Sequence, residues 1–355
     1  MRNFRKWIGV PIIIAVAVCL LILLDFLLYP CTFTRNDMHA VLGKTSDDLY
    51  LGASHGKSNI DPASVQKVSG RTGHNFCTGG QYAIDSFYLT KLMLEKGHAP
   101  KRIVYEVSPG YFTSEKEEGN NYLLFYHEFP VSRSRLSYFR NAVARCNIRT
   151  MFFPWYEYDL SESIGKIPET ARRKWKHDYS TEWLKGENQA YYEDGFIEYY
   201  PRDLNDPEQF TLDGFSEMFP SDIKETNMEY LDRLIRLCEE HDIEFVAVIT
   251  PLPEETIEAF SKGYDELDQY FKDFFASREV RFINFNDDEH YDLTGHARKY
   301  FTDLDGHMNG NAARAFSQVL ASQLDPGKTD GITWDKVIEE YDTEDEDTED
   351  DGTIG

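Results

Sequence analysis

Ile243-Glu244-Phe245-Val246-Ala247-Val248-Ile249-Thr250 is the stretch whose reading decides the fold. It is apolar at almost every position, so it cannot face water on one side. A strand of this kind is buried on both faces, which is the condition of a parallel sheet covered by helices. The flanking segments supply the helices. Residues 227–241 and 255–277 place apolar residues at helical spacing, and 280–285 reads as a further strand. Towards the N-terminus, residues 47–52 form a strand ending at Gly52 and 102–107 form a second β-branched strand. Between them, 81–96 is helical and stops at Gly97. A last helix is expected over 310–323. Strands alternating with helices imply right-handed crossovers and a mostly parallel sheet, hence an α/β fold of three layers, α/β/α.

One stretch, about 112–222, breaks the rhythm. It is dense in aromatic side chains: Phe152, Phe153, Trp155, Tyr156 and Tyr158, then Trp175, Trp183, Tyr191, Tyr192, Tyr199 and Tyr200. Flat rings with polar tips suit either an irregular packed insertion or stacking on sugar rings. No internal repeat is evident.

Both ends differ from the α/β portion. Residues 8–28 form an apolar run long enough to cross a hydrocarbon core of about 30 Å as a helix. Arg2, Arg5 and Lys6 precede it, which favours a cytoplasmic N-terminus and an extracytoplasmic remainder. The run is long and lacks a small-residue cleavage site, so an uncleaved signal-anchor is expected instead of a removed signal peptide. At the other end, residues 335–351 hold eleven acidic residues and one Lys. Such a run repels itself, and the reading is a disordered tail over 326–355. The expected organisation is therefore a stub and anchor over 1–29, a linker over 30–44, one α/β domain over 45–325 carrying the 112–222 insertion, and the tail.

The chain has 355 residues, a formal net charge of −25 and 41% hydrophobic content. The acidity speaks against nucleic acid as a partner, because phosphate would be repelled. The absence of a GxGxxG or GxxxxGK[ST] loop behind any strand disfavours a nucleotide site. Five cysteines (Cys19, Cys31, Cys77, Cys146, Cys238) show no CxxC spacing, so neither zinc-ribbon nor thioredoxin chemistry is indicated. A Cys77–Cys146 or Cys146–Cys238 disulfide and buried free thiols both remain open. His290 and His296, near Asp287, Asp288 and Asp292, fit no familiar zinc spacing. No cofactor or metal is expected.

In an open parallel sheet, reactive groups gather beyond the carboxyl ends of the strands. Leu49-Tyr50-Leu51-Gly52-Ala53-Ser54-His55 puts a serine there, on a turn that Gly52 permits. A serine needs a base, and the base needs a carboxylate to fix its tautomer. Thr302-Asp303-Leu304-Asp305-Gly306-His307-Met308-Asn309, just before the last helix, offers both. The bland alternatives are a turn serine and a surface loop rich in turn formers.

The segments LGASHGKSNIDP and DGHMNGNAARAF resemble the nucleophile and closing blocks of the SGNH (GDSL-like) serine hydrolase superfamily. Within it, the chain is similar to membrane-anchored cell-envelope members of the alginate O-acetyltransferase-like and teichoic-acid D-alanyl-transfer-like kinds. The resemblance implies Ser54 as nucleophile, His307 as general base and Asp305 as orienting acid, with Asp303 in reserve. It implies an oxyanion site from the N–H groups of Ser54 and of Gly79 or Gly80. His55, Gln81 and Asn309 would be substrate contacts. The superfamily's third-strand Asn is missing; Glu106-Val107-Ser108-Pro109 stands there, with Ser108 or Gln81 as substitute donors. The function implied is an extracytoplasmic acyl-ester hydrolase or O-acyltransferase acting through an acyl-enzyme on a cell-envelope glycan or teichoic-acid-type polymer, with a membrane-bound acyltransferase as a further partner. The alternative is a non-catalytic envelope protein on the same fold that binds glycan or that partner.

Overall fold

The computed structural model describes residues 2–116, 126–142, 155, 160–327 and 331–349. Phe152, Phe153, Tyr156, Tyr158 and Cys146 lie outside them. The chain begins with helix α1 (Arg2–Leu28), of which Val10–Leu28 is long and apolar enough to cross a membrane, with a mean hydropathy of 3.0. Its side chains from Val10 to Leu20 are exposed, and towards its end Leu21 and residues 25–28 are half-buried. Helix α2 (Phe33–Gly43) follows, N-capped by Thr32, whose hydroxyl accepts the Arg35 N–H at 3.2 Å. The expected linker over 30–44 is thus part of the folded domain, with Asp37, Met38 and Val41 buried.

Five parallel strands make the sheet: β1 (Asp48–Leu51), β2 (Gly73–Asn75), β3 (Arg102–Glu106), then, after an antiparallel pair β4 (Gln189–Tyr191) and β5 (Ile197–Tyr199), β6 (Glu244–Ile249) and β7 (Arg281–Asn284). Their order is β2-β1-β3-β6-β7, so β3 is central and the order reverses beside β1. Alternate residues of each strand enter two separate cores. Leu49, Leu51, Ile103, Tyr105, Ala247 and Ile249 face one; Tyr50, Val104, Val246, Val248 and Ile283 face the other. Helices α5 (Ala83–Lys96), α9 (Glu225–Glu239) and α11 (Ser261–Ala276) cover the first. The second is covered by α4 (Pro62–Ser69) and α12 (Gly310–Leu324). Burial on both faces is what the apolar run at β6 required.

At the amino ends of the strands, Asp48 and Arg102 are paired in the interior, with Arg102 1% exposed. Arg102 Nη2 donates to Asp48 Oδ2 at 2.7 Å and to Asp325 Oδ2 at 3.1 Å, while Arg71 holds the other Asp48 oxygen. The fork of the guanidinium thereby ties β1, β3 and the end of α12 together.

The C-terminal expectation needs correcting. Instead of a tail that buries nothing, helix α13 (Trp334–Glu349) packs its first two turns on the second core. Trp334, Val337 and Ile338 are buried, at i, i+3 and i+4, and the Tyr341 hydroxyl accepts the Gln318 amide at 2.9 Å. Acidic residues dominate the composition there, but the apolar stripe decides the packing. The expected helix over 255–277 is also two, α10 (Glu254–Ala259) and α11, broken at Phe260. Cys31, Cys77 and Cys238 are buried free thiols.

Trp334→Ala is expected to destabilise the domain by about 3–5 kcal/mol, the range for truncating a buried aromatic. Ending the chain after Tyr341 should change stability by less than about 0.5 kcal/mol. Denaturant unfolding of both variants checks this; equal, negligible effects would return the whole segment to the status of a tail.

Candidate functional site

The turn after β1 is shaped by Gly52, whose φ is +148°; a Cβ there would come within 2.6 Å of Glu106 Cβ. Only glycine tolerates both the torsion and the contact. The chain then enters helix α3 (Ser54–Asn59), where the sequence suggested turns alone, and Ser54 is its first residue. Ala53 N–H donates to Glu106 Oε2 at 2.8 Å, anchoring the turn to the carboxyl end of the central strand.

Asn59 fixes the far end of α3 to the closing loop. Its Nδ2 donates to Gly306 O at 2.9 Å and to Thr250 Oγ1 at 3.1 Å, and its Oδ1 accepts the Met308 N–H at 2.9 Å. Three segments far apart in sequence therefore meet on one buried amide. The loop itself is a narrow hairpin closed by a Phe301–Met308 bridge, with both apolar side chains in the second core. Gly306 turns it at φ +117°, against Leu252.

The structure reassigns the two aspartates. Asp303 Oδ2 meets His307 Nδ1 at 2.8 Å, while Asp303 Oδ1 accepts the backbone N–H groups of Gly306 at 3.0 Å and His307 at 3.2 Å. Burial alone would raise the Asp303 carboxyl; the His307 contacts and these N–H groups hold it below the ordinary value instead. Asp305, expected to orient His307, turns to His55, with its Oδ2 3.7 Å from His55 Nε2, an ion pair without a hydrogen bond. Its two-residue spacing to His307 points the carboxylate across the hairpin, and the four-residue spacing of Asp303 allows the chain to fold back on the ring.

His55 is the side chain that sequence reading underrated. Its ring lies 5.0 Å from that of His307, at 64°, and Nδ1 is 3.3 Å from Ser108 Oγ and 4.0 Å from Glu106 Oε1. Burial works against its charge, but Asp305, Glu106 and Asp303 outweigh it and push the pKa up to about 9. At neutral pH His55 is a cation held among carboxylates. Ser108, where the resemblance would put an Asn, donates to Glu106 Oε1 at 2.6 Å and does not project a free donor.

Of the remaining expected site residues, Gly79 stands beside Ser54, where a side-chain Cβ would lie 3.8 Å from Ser54 Cβ. The Gly80 N–H is taken by Tyr111 Oη at 3.0 Å, whose hydroxyl also reaches the Ser54 side chain. Gln81 is buried and donates to Ser86, away from the cavity. Asn309 is not a substrate contact either: its Oδ1 caps α12 through Ala312 N–H and its Nδ2 donates to Lys299 O. Both ends of the amide are thus engaged within the protein. His290 is bound to Asp287 and His296 to the Leu252 carbonyl.

Ser54, His55 and Asp305 border a cavity of about 170 Å³ whose walls are apolar: Val107, Met218, Ile249, Leu252, Phe260 and Leu267 among them. Tyr199, from β5 of the insertion, stands edge-on to His307 at 6.1 Å. Among the described residues Ser54 and His307 share no hydrogen bond. His55, Asp305 and His307 present ligand atoms within 4.8 Å of one another, a spacing that would suit a divalent cation only if it displaced the His55 proton.

Because the folded-state pKa of His55 lies above the ordinary 6.5, its charge adds stability that is fully present below pH 6.5 and is lost as pH rises through about 9. Asp305 is half exposed, so the part it carries is roughly 1 kcal/mol after screening. Asp305→Asn is expected to bring the His55 pKa down towards the ordinary value, read from its ring C–H resonances during a pH titration; an unmoved pKa would remove Asp305 from the charge balance. Comparison of the sequence with protein-family models and with curated proteins returned no match.

Proposed function

We propose that this chain is a membrane-anchored, extracytoplasmic serine acyl-ester hydrolase or O-acyltransferase on a three-layer fold of the SGNH type, acting on a cell-envelope polysaccharide or teichoic-acid-type polymer. The observation that carries the reading is that Asn59 ties the helix that begins at Ser54, at the carboxyl end of β1, to the loop that holds the hydrogen-bonded Asp303–His307 pair. The apolar span Val10–Leu28 and the positive residues Arg2, Arg5 and Lys6 before it support the location.

In this mechanism Ser54 Oγ attacks the ester carbonyl and its proton passes to His307 Nε2. Asp303 keeps the other ring proton on Nδ1 and stabilises the imidazolium. The N–H groups of Ser54 and Gly79 face the developing oxyanion. Return of the proton from His307 releases the alcohol and leaves an ester on Ser54. Water or a sugar hydroxyl, deprotonated by His307, then takes the acyl group and Ser54 regains its proton. The acyl chain occupies the apolar cavity. The initial complex has to bring Ser54 Oγ and His307 Nε2 into reach, a tightening common when substrate binds.

A second reading is favoured by the missing Ser54–His307 hydrogen bond: a non-catalytic envelope protein that uses the same cleft to bind glycan or a membrane acyltransferase.

Labelling with a serine-directed fluorophosphonate separates the two. Wild type should react and Ser54→Ala should not; labelling of both, or of neither, sinks the hydrolase. With a chromogenic ester, Asp303→Asn should lower kcat by about 10²–10⁴-fold, as for the loss of an orienting carboxylate, and Asp305→Asn by less than about tenfold. The reverse order would restore Asp305 to the role the sequence suggested.

Metal is tested in the same assay. Zn²⁺ held by His55, Asp305 and His307 would occupy the nitrogen that accepts the Ser54 proton, so added Zn²⁺ should inhibit and a chelator should leave the rate unchanged. Loss of activity on chelation would assign the chemistry to the metal.

A further inference from the structure

Where α1 leaves its apolar span, a second cavity of about 540 Å³ opens, remote from Ser54. One wall is apolar and belongs to the span: Leu21, Ile22 and Phe26. The other is cationic: Arg35 of α2, Arg135 of helix α7 (Arg133–Asn141) and Lys174 of helix α8 (Leu160–Lys176). In a chain of net charge −25, three cations from three separate elements converge on one space at the end of a membrane-length helix.

Their present partners do not neutralise them. Lys174 Nζ donates to three carbonyls at the end of α1, Asp25 O, Phe26 O and Tyr29 O, at 3.1, 3.0 and 2.6 Å. Arg35 donates to the Asp178 carbonyl and lies 4.1 Å over the Tyr179 ring; Arg135 lies 4.8 Å over the Tyr126 ring. Among the described residues neither arginine is ion-paired. Carbonyls and ring faces orient a guanidinium while leaving its charge in place. Of the two acids beside them, Glu128 is half-buried and hydrogen-bonded by Tyr29 Oη at 3.0 Å; desolvation pushes it up to about 7, so it is only partly charged. Two polar atoms in the wall, His127 Nε2 and Asp25 Oδ1, are buried without any partner. Buried polar atoms are rarely left unsatisfied.

We propose that this cavity binds the phosphodiester headgroup of an anionic, hydroxyl-bearing membrane lipid. The phosphate oxygens meet Arg35, Arg135 and the neutral His127 Nε2–H, and a headgroup hydroxyl donates to Asp25 Oδ1. The acyl chains continue along Leu21 and Ile22. The lipid then fixes the α/β domain against the membrane surface, which the acidic remainder of the chain would otherwise be driven from. This is independent of the ester chemistry.

The test uses the full chain in detergent micelles with trace phosphatidylglycerol, phosphatidylcholine, or inorganic phosphate with no added lipid, read by native mass spectrometry and by the thermal midpoint. Wild type should retain phosphatidylglycerol in preference to phosphatidylcholine by about tenfold or more, roughly what one lost charge-assisted contact is worth. Arg35→Gln/Arg135→Gln should erase that preference, and Lys185→Gln, an exposed cation elsewhere, should keep it. Equal retention of the two lipids by wild type, or a preference that survives in the double variant, overturns the proposal. Stabilisation by inorganic phosphate equal to that by phosphatidylglycerol reassigns the site to free phosphate and also overturns it. The wild-type comparison decides the matter even if the double variant does not fold.

Discussion

Glu106 is the constraint on which the working end of the molecule is built. It ends the central strand as a carboxylate that is 2% exposed, and an unpaired charge in that position would cost several kcal/mol. Each of its partners is consequently held in place: the Ala53 N–H, the Ser108 hydroxyl and, at 4.0 Å, the His55 ring. The turn after β1 has to pass directly over it, and Gly52 is the residue that makes room. A buried charge thus determines where Ser54 begins its helix and how His55 is presented, before any substrate is considered.

The opposite end of the sheet uses the same device. Asp48 and Arg102, with Arg71 and Asp325, form a hydrogen-bonded network at the strand starts, so β1 and β3 are tied together at one end by this ionic group, while Glu106 and Asn59 tie the loops at the other. A third network joins the insertion to the domain. Lys57, from α3, donates to Asp37 of α2, to Asn75 O and to Tyr191 of β4, and Asp37 is held below the usual carboxylate range despite its burial because Lys57, His74 and Tyr191 surround it. The helix that carries Ser54 is therefore braced from below by helix α2, which follows α1, and from the side by the aromatic insertion. That arrangement gives the insertion a structural role for Tyr191 and Phe196, while Tyr199 reaches His307.

Much of this was legible in the residues. The apolar run at β6 and the strand and helix alternation around it anticipate a parallel α/β sheet, and Ser54 and His307 were singled out from two short segments. The partner of His307 was misassigned because spacing in sequence does not reveal which way a side chain points in a hairpin of glycines and aspartates. Asn309 looked like part of a binding motif but caps a helix, since any Asn before a helix start competes for that task. The acidic C-terminus was read by its charge; three apolar residues at helical spacing were diluted by eleven acids and went unnoticed. Glu106, Asn59 and Tyr111 gave little local signal, although a charged residue closing an apolar strand was a hint.

The sequence by itself determined the periodicities: one apolar span at the start, a buried parallel sheet and a serine beyond the first strand. Those follow from local patterns of burial, which a single segment can display. The tertiary structure alone decided that Asp303 and not Asp305 bonds His307, that Asp305 and Glu106 flank His55, and that Arg35, Arg135 and Lys174 share one cavity at the end of α1. Such facts depend on the approach of groups from distant segments, and the energy of an ion pair or hydrogen bond exists only at contact distance, which no pattern along the chain encodes.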